Sequence, residues 1–62
     1  MTKTRKIRVG DRVRGVFRGA IREGTVKEDP RRPGHPLVIH GMIYVVDDEG
    51  RLFHLANWER VK

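Results

Sequence analysis

From Lys6 to Arg18 apolar and cationic residues alternate, and this period of two limits the fold more than any other feature of the chain. Ile7, Val9, Val13 and Phe17 fall on one parity; Lys6, Arg8, Arg12, Arg14 and Arg18 fall on the other. Successive side chains of a β-strand point to opposite faces, so the pattern predicts a ribbon with one apolar side and one cationic side. Gly10-Asp11 and Gly15 are the positions where a phase shift would break it.

Length sets the scale of what that ribbon can join. A chain of 62 residues makes a single domain. A domain of this size buries only about 60 per cent of its unfolded surface, so its stability is marginal. There is no cysteine, hence no disulfide framework and no thiolate zinc site. That composition fits a reducing cytoplasm, the expected location. The longest apolar run, Met42 to Val46, is far too short to span a membrane. The N-terminus is basic, but no apolar stretch follows it, so no secretory signal is expected.

Residues 1–6 read as a basic tail and residues 7–62 as one domain. The first strand is predicted from Ile7 or Asp11 to Phe17. Arg18-Gly19-Ala20 is a turn, and a second strand runs from Ile21 to Lys27. Gly15 and Gly24 are candidate bulges within these strands. Glu28 to Pro36 holds three prolines and a glycine, which excludes both a helix and a central strand and predicts a semi-rigid loop. A third strand covers Leu37 to Val46, with Gly41 a point of interruption. Its apolar residues occupy both faces, as in a strand at the centre of a fold. Asp47-Asp48-Glu49-Gly50 is a hairpin turn with glycine supplying the positive φ. A fourth strand, Arg51 to Leu55, is followed by a 3₁₀ turn at Ala56-Asn57-Trp58 and a closing strand from Glu59 to Val61. Short strands, tight turns and no amphipathic helix predict an all-β, five-stranded small barrel, whose closure removes exposed edges.

Several of these segments resemble a known family. Val9-Gly10-Asp11-Arg12-Val13 resembles the opening strand of KOW and Tudor-type barrels. Gly19 followed by Glu23-Gly24-Thr25-Val26 is similar to the KOW continuation. Tyr44-Val45-Val46-Asp47-Asp48-Glu49-Gly50, then Leu52 and Leu55, resembles the later Tudor-like hairpin. The resemblance covers Ile7 to Val61 and implies an SH3-like barrel. KOW relatives often contact RNA or RNA polymerase, and Tudor relatives bind peptides, so the resemblance implies binding without choosing the ligand. The loop at residues 28–36 departs from both patterns.

Charge narrows the choice. Residues 1–32 hold eleven Lys or Arg against four acids, and residues 33–62 hold three against four, so balances of +7 and −1 make up the net +6. This polarity favours a directed basic patch, and nucleic acid is the commonest anionic partner of such a patch. Lys6, Arg8, Arg12, Arg14 and Arg18 are the expected phosphate contacts, joined by Arg22, Arg31 and Arg32 if the loop folds over the same side. Arginine binds phosphate oxygens in pairs. No base-reading helix is visible, so low sequence specificity is expected. Tyr44, Phe53 and Trp58 are the candidate aromatic contacts; Tyr44 and Phe53 face each other if the Asp47–Gly50 turn sets the register. Phe17 is assigned to the core.

Two other readings stand beside this one. One is a protein-interaction module docking on a larger assembly such as transcription or ribosomal machinery, through the third-strand edge, Tyr44, Phe53 and the loop. The other is a weak homodimer in place of a monomer. Catalysis is not expected. The chain has no serine and no cysteine, and Thr2, Thr4 and Thr25 are its only hydroxyl nucleophiles besides Tyr44. His35, His40 and His54 are too widely spaced for a local metal motif. The acidic turn lacks the spacing of a calcium loop. No metal, cofactor or membrane partner is therefore expected.

Overall fold

The structure, a computed structural model, describes residues 7–61. The basic tail, with Lys6, lies outside the described residues. Five strands form: β1 (Arg12–Phe17), β2 (Ala20–Val26), β3 (Val38–Ile39), β4 (Met42–Val46) and β5 (Leu52–Arg60). The sheet order is β2-β1-β5-β4-β3, and a further β2–β4 pairing closes a ring of β2, β1, β5 and β4. Four strands thus close a barrel, and β3 extends it. Every pairing is antiparallel. The described residues form a small all-β barrel without helices, compatible with the SH3-like class.

Turn chemistry explains the hairpins. Between β1 and β2 stand Arg18 (φ 54) and Gly19 (φ 80); between β3 and β4 stand His40 (φ 54) and Gly41 (φ 79). Positive φ at both central residues is what a type I′ turn requires, and that turn matches the twist of its flanking strands. The third predicted strand is therefore cut in two at His40-Gly41. The β4–β5 connection is longer. Asp47 N donates to Arg51 O at 2.9 Å, and Gly50 adopts φ 82. The Asp47 carboxylate accepts from the amides of Glu49 (2.9 Å) and Arg51 (2.8 Å), a side-chain brace for the turn.

That turn moves the register by one residue from the expected pairing. Tyr44 pairs with His54, and Phe53 pairs with Val45. Tyr44 and Phe53 therefore lie on opposite faces of the sheet, not face to face.

The 3₁₀ turn expected at Ala56-Asn57-Trp58 does not form. β5 runs through these residues, and Asn57 takes φ 50 as the register against β1 shifts between Arg14 and Val16. Asparagine tolerates this left-handed conformation, so the strand bends without ending. The fourth and fifth predicted strands are one element.

Gly15 and Gly24 act through close approach. A Cβ on Gly15 would lie 2.8 Å from Ala56 O and 2.8 Å from Leu55 Cβ; on Gly24 it would lie 2.7 Å from Val45 Cγ2. The β1–β2 ladder runs unbroken through both, so Gly24 is not a bulge there. Gly15 sits at an irregularity only on its β5 side.

The core consists of Val13, Val26, Ile43, Val45 and Leu55, with Ile7, Phe17, Phe53 and Trp58 packed against it. Burying side chains of this size contributes about 1.5–3 kcal/mol each. The Trp58 indole N–H donates to Gly41 O at 3.0 Å and so ties β5 to the β3–β4 turn.

The proline-rich loop is ordered. Leu37 N donates to Lys27 O, Glu28 bridges to Pro36, and Asp29 N donates to His35 O at 2.9 Å. Inside this ladder Asp29 is buried, and its Oδ1 accepts from Arg31 N at 2.9 Å. Glu28 Oε2 accepts from Gly34 N at 2.6 Å. The segment is a narrow arm with Arg31 and Arg32 exposed at its tip.

Candidate functional site

The expected cationic ribbon is shorter than the alternation suggests. β1 begins at Arg12, and Arg8 precedes it in a turn where Asp11 Oδ2 accepts from Arg8 N at 3.1 Å. Arg18 stands in the hairpin turn, off the strand. Only Arg12 and Arg14 lie on the outer face of β1, opposite Thr25 and Glu23.

These two arginines are engaged within the fold. Arg12 Nε meets Glu23 Oε2 at 3.0 Å, and its Nη1 meets Asp48 Oδ1 at 3.3 Å. The hydrogen bond to Glu23, then that to Asp48, raises the Arg12 pKa further above its ordinary value. Arg14 reaches Glu59 at 3.5 Å. Exposed pairs of this kind contribute little to stability, but they cancel positive charge where they stand.

The remaining acids follow the same pattern. Asp11 pairs with Arg60 at 3.5 Å, Asp47 with Arg51 at 3.2 Å and Glu49 with Arg51 at 2.9 Å. Glu28 and Asp29 cap loop amides instead of pairing with Arg31 and Arg32. All eight acids of the chain are thereby occupied. Among the described residues Arg8, Arg18, Arg22, Lys27, Arg31 and Arg32 form no ion pair.

These cations fall into sets given by the chain path. Arg18 and Arg22 belong to the β1–β2 hairpin. Arg31 and Arg32 cap the arm. Lys27 is at its base, and Arg8 is near it, since Gly10 N donates to Val26 O.

Arg18 and Arg22 have a further property: each covers an aromatic ring. The Arg18 guanidinium lies 5.7 Å from the Phe17 centroid, and that of Arg22 lies 5.5 Å from the Phe53 centroid. Arg51 also approaches Phe53, at 5.9 Å. Phe17 and Phe53 meet edge to face at 5.0 Å, Phe17 meets His54 at 5.2 Å, and His54 meets Tyr44 at 5.7 Å. Phe17, Phe53 and Tyr44 are half-buried and His54 is exposed. Tyr44 and His54 thus form a ring pair on the outer face, and Phe17 links His54 to Phe53, which lies on the opposite face of the sheet. Trp58 is not among them; its N–H is held by the fold.

His54, Phe17 and Arg51 were not candidates from the sequence. The signal for His54 was the β4–β5 register, which a turn one residue longer makes plain: Tyr44 then faces His54. Among the described residues no group of three His, Asp or Glu side chains is placed to hold a metal ion, and no pocket opens. No helix among them is long and apolar enough to cross a membrane. Comparison with known proteins finds no matching family model, no significantly similar curated protein and no significantly similar solved structure.

Proposed function

We propose that this barrel is a non-catalytic module that binds the phosphate backbone of nucleic acid with low sequence specificity. Its main contacts are Arg8, Arg18, Arg22, Arg31 and Arg32, with Lys27 beside them. Arg12 and Arg14 contribute less because Glu23, Asp48 and Glu59 already hold them. One observation carries the reading: every Asp and Glu side chain is occupied within the fold, and among the described residues the cations without an ion pair stand on the β1–β2 hairpin, on the ordered arm and its base, and at Arg8 before β1. An arm held by its own hydrogen bonds presents Arg31 and Arg32 with little ordering cost on binding. A KOW or Tudor-like affinity is part of the same proposal. It is supported by Val9-Gly10-Asp11-Arg12-Val13 leading into β1 and by the acidic turn joining β4 to β5. A cytoplasmic setting accords with the absence of cysteine.

A salt titration tests this. Five phosphate contacts give a log–log slope of about −4.5 on duplex DNA and about −3.5 on a single strand. Replacing Arg31 and Arg32 with alanine lowers the slope by about two contacts' worth and weakens all sequences alike. A flat slope removes the proposal.

A protein partner is the second reading, because Ile21 is 66% and Leu52 is 52% exposed, and β3 leaves an unpaired edge. Binding to an acidic polypeptide that matches binding to oligonucleotides would favour it.

A further inference from the structure

We infer that the outer-face pair Tyr44 and His54 takes the bases of an unpaired nucleic-acid strand, with Arg18 and Arg22 holding its backbone. This rests on the phosphate-binding reading above and names its ligand as single-stranded.

The rings are the first part of the argument. The chain has only four Phe, Tyr and Trp residues; Tyr44 meets His54 at 5.7 Å on the outer face, and Phe17 meets both His54 and the core-side Phe53 at 5.2 and 5.0 Å. Core packing accounts for Phe17 and Phe53, which rest on the buried cluster. It does not account for Tyr44 and His54, a cross-strand pair on the outer face of β4 and β5. Bases stack on such rings whatever their sequence, since every base has a π-face. In a duplex those faces are covered by neighbouring pairs, so only an unpaired strand can use this ring pair.

Charge supplies the second part. Arg18 and Arg22 lie over the two phenylalanine rings and pair with no carboxylate among the described residues. Arg51, also near Phe53, is neutralised by Asp47 and Glu49. Beside these rings the guanidiniums without an ion pair are therefore those of Arg18 and Arg22, both on the β1–β2 hairpin. A strand lying on the rings has that hairpin available for its backbone.

Arg18 supplies the third. It occupies φ 54 in a turn position that glycine or asparagine fills without strain. An arginine kept there places its guanidinium over Phe17 at a cost in backbone energy, a pattern found at ligand-contact sites.

The test is a titration of the full chain, repeated across a salt series, with four fluorescein-labelled probes of equal length. These are oligothymidylate, oligouridylate, an abasic phosphodiester strand and a DNA duplex. Thymidylate or uridylate is expected to bind at least tenfold tighter than the abasic strand; the two nucleotide arms tell DNA from RNA. His54→Ala and Tyr44→Leu change surface rings outside the core, and each is expected to weaken base-bearing strands about tenfold. Neither is expected to change abasic binding or the salt slope. Circular dichroism checks that both variants keep the fold. Equal binding of abasic and base-bearing strands, or a preference for duplex, overturns the inference; with a steep salt slope, phosphate binding then survives alone. A flat slope on every probe overturns both.

Discussion

Asp48, at the tip of the β4–β5 turn, hydrogen-bonds to Arg12 on the first strand at 3.3 Å, across a sequence separation of 36 residues. With Glu23 on β2 it clamps the guanidinium from two sides. The face written most plainly in the sequence as cationic is thus the one that the fold neutralises, and the binding potential moves to the hairpin and the arm.

Releasing Arg12 should restore that potential. The double variant Glu23→Gln/Asp48→Asn removes both acids and leaves the arginine unpaired. Near 0.1 M salt one additional phosphate contact tightens binding about fivefold and steepens the salt slope by about 0.7–0.9. Fluorescence anisotropy across a salt series reads both. Unchanged affinity would show that the outer face of β1 does not approach the ligand.

His40 offers a stabilising substitution. It holds φ 54 in the β3–β4 turn, is exposed, and precedes Gly41. His40→Asn restores the favoured Asn-Gly turn pair and is expected to raise stability by about 0.5–1 kcal/mol. In a domain of this size that is roughly 4 °C in Tm. Thermal unfolding followed by circular dichroism measures it.

Gly24→Ala should do the reverse. Its new Cβ would come within 2.7 Å of Val45 Cγ2 and 2.9 Å of Val46 O, the second a backbone atom that cannot step aside. Overpacking of this kind costs on the order of 3 kcal/mol. Total stability for such a domain is on the order of 3–9 kcal/mol, so urea unfolding should show a midpoint reduced by a third or more, or no folded baseline.

Acid should weaken the fold through Asp47. Its carboxylate accepts the Arg51 amide first, then that of Glu49, and pairs with the Arg51 guanidinium, which hold its pKa below the ordinary 3.8. A depressed carboxylate stabilises the folded state above its unfolded pKa of about 3.9, and the contribution disappears as pH falls through the folded value. Stability measured by urea midpoint should thus be flat in this respect above pH 4 and decline below it. In Asp47→Asn the neutral-pH midpoint should be lower and this part of the acid decline absent.

Much of the fold is legible in the chain because its signals are local. Arg18-Gly19 and Asp47–Gly50 mark turns by residue type, and the alternation around Val13 places it inside. The boundaries that differ depend on small conformational choices. His40-Gly41 divides one apolar run because both residues accept positive φ, while Asn57 accepts it within β5 and so joins two segments. The site was less legible. Charges near each other in sequence proved to be separated by pairing with acids far along the chain, as Arg12 is by Asp48 and Arg14 by Glu59. No local pattern reports such distant pairs. Likewise Glu28 and Asp29, adjacent to Arg31 and Arg32 in sequence, are turned to backbone amides, which leaves the arm more cationic than its composition suggests.

The manner in which β4 shares one edge has a kinetic consequence. Its first half pairs with β3, and only Val45 and Val46 are left to meet β2, at Val26 and Thr25. The seam that closes the barrel is short, while the ladders of β1 with β2 and of β4 with β5 are longer. Breathing should begin there, with the cylinder parting into a curled ribbon before either hairpin melts. Hydrogen exchange would record it as early labelling of the amides of Thr25 and Val46, ahead of those that join the long hairpins.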